Sequence, residues 1–152
     1  MSVRSYSDCD FPSVCRIYAQ AKEDELRFEG GVCDIIPLPE DPGILAAFRQ
    51  STVLVFEDRE VLGFAALYEN QLRALFVCRG ARGKGVGQAL LDAALAQSTD
   101  ALMLCVAKSN ADALGLYQRN GFVAIGEADR TYHGMAVAYW QMQLDPAARG
   151  NR

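Results

Sequence analysis

The chain has 152 residues and a mass of 16.6 kDa, with 51% hydrophobic and 22% charged residues and a formal net charge of -4. That length fits one domain burying about 68–70% of its unfolded surface, and the composition excludes a disordered or fibrous chain. An acidic total argues against general nucleic-acid binding, which needs a basic face, and the apolar runs at 62–68 and 101–107 are far shorter than the roughly 20 residues that span a bilayer.

The first residues turn polar at once and hold no apolar segment of the secretory type, so a cytoplasmic location is expected. Residues 3–6 predict an opening strand. Asp8 and Asp10 are helix-start residues, and Val14, Ile17, Tyr18 and Ala21 recur at helical spacing, predicting a helix to about Leu26 that Gly30-Gly31 ends. Pro37, Pro39, Pro42 and Gly43 mark a loop before a short helix over 44–50. Residues 52–56 and 61–68 read as strands joined by a turn at 57–60, and 72–77 as a third, giving three sequential antiparallel strands. A helix follows from Val86, then a buried-type strand over 101–107 that should run parallel to 72–77. Ser109-Asn-Ala-Asp112 matches a capping box for a helix ending at Asn120-Gly121. Strands over 122–127 and 135–144 close the chain, with His133-Gly134 in the turn between. The expected fold is α+β: a mixed, mostly antiparallel central sheet flanked by helices, with one central β-α-β crossover, in a single domain over 1–145 and a flexible tail over 146–152.

Five cysteines (Cys9, Cys15, Cys33, Cys78, Cys105), without a C-x-x-C, and the single His133 supply neither a disulfide framework nor a zinc ligand set. Reduced, mostly buried thiols and no metal are expected. A Cys-His nucleophile has no supporting motif.

The segment C-R-G-A-R-G-K-G-V-G-Q-A-L-L over 78–91 carries the clearest chemistry. Four glycines (Gly80, Gly83, Gly85, Gly87) and three cations (Arg79, Arg82, Lys84) run into an apolar helix. Glycines there let backbone N–H groups face an anion, and the helix dipole adds attraction. A dinucleotide fingerprint fails in both registers, because the sixth position is Gln88 or Leu90 and no acid ends the next strand. A Walker A loop fails too, with Cys78 in place of its first glycine and Gly85 in place of its Ser or Thr. What remains is Arg82-x-x-Gly85-x-Gly87 at a helix start, a nest suited to a diphosphate.

L-F-V-x-x-x-x-R-G-K-G-V-G-Q-A-L-L over 75–91 resembles motif A of the GNAT N-acetyltransferase superfamily, and N-A-D-A-L-G-L-Y-Q-R-N-G-F over 110–122 resembles its motif B. The order of strands and helices over 3–144 resembles the family throughout. The resemblance implies an acetyl-CoA-dependent N-acetyltransferase, with acetyl-CoA as co-substrate, no metal and direct attack of an amine on the thioester. It implies that Arg82, Gly83, Lys84, Gly85, Val86 and Gly87 hold the pyrophosphate. The pantetheine arm would run past Asn110 and Ala113, between two splayed strands, where the backbone at Leu75, Phe76 and Val77 bonds it and polarises the thioester. Tyr117, in the motif, would be the general acid for the leaving thiolate.

The base is less determined. Many relatives place a glutamate on the strand entering the loop, but L-R-A-L-F-V has no carboxylate; Glu69 is the nearest substitute, with Glu25, Glu29, His133 or a water chain as alternatives. Arg79 departs from the pattern as well, and either meets a coenzyme phosphate or points to solvent. From Gln20 to Asp41 seven acids face only Lys22 and Arg27, which suggests a cationic small-molecule or peptide amine as acceptor. Without a strand glutamate, a non-catalytic coenzyme A binding or sensing module is the alternative, and a nucleotide-dependent oxidoreductase is a distant third. No membrane or nucleic-acid partner is expected. The apolar final strand offers an edge for a homodimer.

Overall fold

A computed structural model describes residues 2–27, 29, 35–98 and 101–144. In chain order the elements are β1 (Ser2–Ser5), α1 (Phe11–Arg27), α2 (Pro42–Gln50), β2 (Thr52–Asp58), β3 (Glu60–Tyr68), β4 (Gln71–Val77), α3 (Val86–Gln97), β5 (Met103–Ala107), α4 (Ala111–Arg119), β6 (Phe122–Tyr132) and β7 (Met135–Leu144). The strands form one sheet in the order β1-β2-β3-β4-β5-β7-β6. Every neighbouring pair is antiparallel except β4 and β5, which are joined by the α3 crossover. The expected mixed α+β architecture is the observed one.

Strand alternation divides the core between two faces. Ala65 and Leu67 pack with Leu90, Leu91 and Ala94 of α3 and Tyr117 of α4, whereas Phe64 and Ala66 pack with Val14, Ile17 and Tyr18 of α1 and Phe48 of α2. Ile17 and Leu90 are both 0% exposed, and burial of such a side chain contributes about 1.5–3 kcal/mol. A third, smaller cluster joins Leu26 at the end of α1 to Ala107, Tyr132 and Val137.

The parallel pair is incomplete, and that opens the site. β4 and β5 pair only at Gln71 with Met103 and Leu72 with Leu104, beside a bond from Met103 N–H to the Asn70 carbonyl at 2.8 Å. On its other side β4 pairs with β3 up to Val77, but the register shifts between Ala66–Ala74 and Leu67–Leu72, leaving Arg73 as an extra residue. A bulge bends and twists its strand. Here it falls where β4 parts from β5, while β5 stays paired with β7 along its whole length. A gap therefore opens between the two parallel strands toward their C-terminal ends.

Several sequence expectations need correction. β6 runs to Tyr132 rather than 127, with a bulge at Ile125. Its outer half is a largely solvated edge strand. The residue capping α4 is Asn110, whose Oδ1 accepts from Ala113 N–H at 3.3 Å; Ser109 lies outside the helix. Cys9 is exposed and Cys15, Cys78 and Cys105 are half-buried, all four as free thiols, so burial is less than expected. β7 lies between β5 and β6, which closes the route to a homodimer through that strand's edge. Gly30-Gly31, Cys33 and the tail over 146–152 lie outside the described residues. Among the described residues no helix is long and apolar enough to cross a membrane, and no group of metal-ligating side chains is found.

Candidate active site

Beyond Val77 the chain makes a short 3-10 turn at Arg79–Ala81 and enters the glycine loop. Gly83 and Gly85 have φ values of 76° and 87°, a region costly for any residue with a Cβ. Open space lies over both, since a Cβ built on either would meet nothing within 4 Å. Gly85 caps α3, and the first helical bond runs from Ala89 N–H to the Gly85 carbonyl at 3.0 Å. The N–H groups of Val86, Gly87 and Gln88 thus have no partner within the helix, and such groups at the dipole's positive end suit an anion. Gly87 is different: a Cβ there would meet Leu116 at 3.5 Å and Val77 at 3.7 Å, ordinary contact distances.

The loop arginines are tied inward. Arg82 donates from Nε to the Val77 carbonyl at 3.1 Å and pairs through Nη1 with Asp24 of α1. Arg79 reaches the same carboxylate from Nε at 3.1 Å and Nη2 at 2.9 Å, and its N–H donates to Gln20 Oε1 at 2.9 Å. Burial pushes the Asp24 carboxyl pKa up, but hydrogen bonds from Arg79 and Arg82 outweigh it, and the net shift is downward. Arg79 is half exposed to solvent and held at the same time by Asp24. Asp24 braces the loop against α1, a role that its place in the acidic run over 20–41 does not reveal. Lys84 stands exposed.

Leu75 and Val77 pack toward α3 and α4, and Phe76 toward α1, so their backbone lines the gap. On the far side, Asn110, Ala113 and Tyr117 come from α4 and its cap. Tyr117 is 6% exposed, with its ring edge-on to Phe122 at 5.7 Å between centroids. Burial first, and then the charge of Glu25, push its phenol pKa well above the ordinary value, so it stays protonated. Tyr117 and Glu25 belong to helices on opposite faces of the sheet. The Glu25 charge is nevertheless felt by the Tyr117 phenol.

Around Glu25 a second group assembles. Its side chain is 10% exposed, Oε1 accepts from Tyr139 Oη at 3.1 Å, and Lys22 Nζ lies at 3.7 Å. Burial, then Glu25, raise the Tyr139 pKa, with Glu29 adding a smaller push. Beyond lies a cavity of about 500 Å³ lined by Glu29, Asp129, Lys108, Ser109 and residues 136–138. Lys108 is already paired with Glu127 and sits over the Trp140 ring at 4.2 Å, which leaves the two carboxylates to set the cavity's charge. Two buried hydroxyls, Tyr18 Oη and Ser109 Oγ, have no hydrogen-bond partner among the described residues; Ser109 lines this cavity.

Two candidates lie elsewhere. His133 Nε2 bonds Asp41 Oδ2 at 2.8 Å, fastening the β6–β7 turn to the start of α2. Glu69 sits exposed at the β3–β4 turn with φ 55°. From there β4 runs roughly 23 Å, at about 3.3 Å per residue, before reaching the glycine loop. Leu75, Val77, Val86, Ala113 and Tyr117 share one packed cluster, Gly83 and Gly85 lie in the loop that starts α3 and Asn110 caps α4, Phe76 packs on the opposite face, and Glu69 is at the far end of β4.

Residues 12–122 match the family model described as the acetyltransferase (GNAT) family. No curated protein sequence matches the chain. Among solved structures, the ribosomal-protein-alanine N-acetyltransferase of Brucella melitensis is 22% identical with a TM-score of 0.71, covering 94% of this chain and 98% of that one. Apo YjaB of Escherichia coli has 20% identity and a TM-score of 0.75, over 93% and 95% of the two chains. The yncA structure from Salmonella typhimurium, solved with its cofactor acetyl-CoA, has 19% identity and a TM-score of 0.72, over 95% and 93%. At these identities the likeness establishes the fold.

Proposed function

The chain belongs to the GNAT acetyltransferase family, and on that premise we propose that it transfers an acetyl group from acetyl-CoA to a primary amine by direct attack, with Tyr117 as general acid. The observation that carries the reading is the β4–β5 gap, which opens onto the glycine nest at one end and has the buried, protonated Tyr117 on its flank.

The residues present fit the coenzyme. The open space over Gly83 and Gly85 and the three unpaired N–H groups at the start of α3 suit a pyrophosphate, with Lys84 adding charge. Arg82 contributes chiefly by holding the loop, through Val77 and Asp24. The unpaired edge of β4 over 73–77 offers N–H and C=O groups to an amide-bearing arm and a donor for the thioester oxygen, where negative charge grows during attack. Asn110, its Oδ1 occupied by the cap, retains its amide N–H groups as donors. The coenzyme would supply the activated acyl group. This chain's residues orient it, exclude water and deliver the proton.

For the acceptor we propose a cationic amine, small or peptide-borne, entering from the cavity that Glu29 and Asp129 line. The lack of a carboxylate on β4 keeps a non-catalytic coenzyme sensor as the second reading. A thiol-release assay with acetyl-CoA across polyamines, amino sugars and peptide amines separates them. Release with a cationic amine supports the proposal, and coenzyme binding without release from any amine would favour the sensor.

A further inference from the structure

We infer that Glu25 is the general base of the transfer, held in place by Tyr139 and Lys22; the inference rests on the acetyltransferase reading above. A closed sheet keeps groups on its two faces apart. Here the sheet is open beyond Leu72 and Leu104, so a carboxylate from α1 and a phenol from α4 can address one bond from opposite sides. Tyr139 lies opposite Ala107 on β5, the strand that borders the gap, and its hydroxyl fixes the Glu25 carboxylate there.

The competing groups are each placed for something else. Glu69 is at the wrong end of β4, His133 is engaged by Asp41, and Glu29 lines the cavity through which the acceptor would pass. Both contacts to Glu25 are made at Oε1, which leaves the lone pairs of Oε2 to accept a proton. The charged and titratable groups around it are Lys22, Tyr139, Tyr117 and Tyr18, with Glu29 one turn further along the chain.

An acceptor arriving as an ammonium first gives one proton to solvent; the lone pair of the free amine then forms the new C–N bond, and Glu25 Oε2 takes the second proton that the nitrogen sheds. The C–S bond breaks with its electron pair going to sulfur, which takes the Tyr117 proton. A proton then passes from Glu25 through solvent to the Tyr117 phenolate, restoring both groups. The products are an amide and a free thiol.

The test is the Glu25→Gln variant in the thiol-release assay, with melting temperature and acetyl-CoA affinity measured alongside. A fall in kcat of about a hundredfold or more, at unchanged coenzyme affinity, is expected. Tyr139→Phe keeps the ring and loses the hydroxyl; it should lower kcat by about tenfold, the loss of one hydrogen bond to a charged group, while leaving both Michaelis constants in place. Should Glu25→Gln fail to fold, Tyr139→Phe decides: an unchanged kcat overturns the assignment. Wild-type kcat in Glu25→Gln, or a loss of that size in Glu69→Gln instead, overturns it as well. A wild-type protein that acetylates no amine overturns the acetyltransferase reading itself, and this inference with it.

Discussion

The coenzyme side and the acceptor side of the gap are built on different principles. On the coenzyme side, β4, the loop, α3 and α4 follow one another within 71–119, and much of the recognition is done by backbone groups that glycines expose. On the acceptor side the key contact joins distant parts of the chain: Tyr139 reaches Glu25 across 114 positions. A site made of backbone and local turns leaves a periodic trace in sequence. One made of side chains from separate elements leaves none until the fold brings them together.

The largest expected effect tests whether the boundary between the two sides is chemical. Tyr117→Phe keeps the packing on Phe122 but removes the proton donor, and should lower kcat by about a hundredfold or more with acetyl-CoA affinity intact by calorimetry. Because burial and then Glu25 raise the Tyr117 pKa, wild-type activity should show no alkaline loss from this group below its ordinary value of 10.0. Any stability linked to its neutral form is present below that pH and fades only as pH rises through the higher folded value.

Gly63→Ala should damage the coenzyme side alone. A Cβ at Gly63 would sit 2.9 Å from the Phe76 carbonyl, 3.0 Å from Leu90 Cδ1 and 3.1 Å from Val86 Cγ1, so β4 or the first turn of α3 must move. Overpacking of this kind costs about 1–3 kcal/mol. A lower melting temperature with weaker coenzyme binding, and an unchanged acceptor Michaelis constant in the folded fraction, would sharpen the contrast. A combined Glu29→Gln and Asp129→Asn variant should do the converse, raising the Michaelis constant for a cationic amine by about fivefold through lost attraction. An equal effect with a neutral amine would remove the charge argument.

The smallest effect belongs to neither side. Asp10 makes two bonds of 2.8 Å to Arg4, and these outweigh burial to lower its pKa from 3.8 to about 2. The linked stability is present above pH 3.8 and is lost as pH falls through about 2. Solvent screening limits it to about 1 kcal/mol. Asp10→Asn should flatten that acid limb in a pH series of melting temperatures and leave kcat unchanged.

The sequence made much of this legible. Helical spacing places α1 through Ile17 and Tyr18, and Gly85 and Gly87 mark the start of α3 in the sequence itself. The gap itself was expected only through the family resemblance; the bulge at Arg73 that accompanies it has no sequence signature. Arg82 was identified but its partner Asp24 was not, because an ion pair 58 positions apart is invisible to local pattern. The acidic run over 20–41 looks like one feature in sequence, yet Asp24 braces the loop, Glu25 accepts from Tyr139, Glu29 lines the cavity and Asp41 holds the hairpin. Helical phase and tertiary contact, rather than composition, assign those roles.

The division of labour between the two sides is tested most directly by calorimetric titration of acetyl-CoA into the wild type, Gly85→Val and Glu25→Gln. One-to-one binding in the wild type and in Glu25→Gln is predicted, with at least about tenfold weaker binding in Gly85→Val, whose side chain is strained at φ 87° and fills the space over the nest. No binding to the wild type, or equal weakening in both variants, would contradict it.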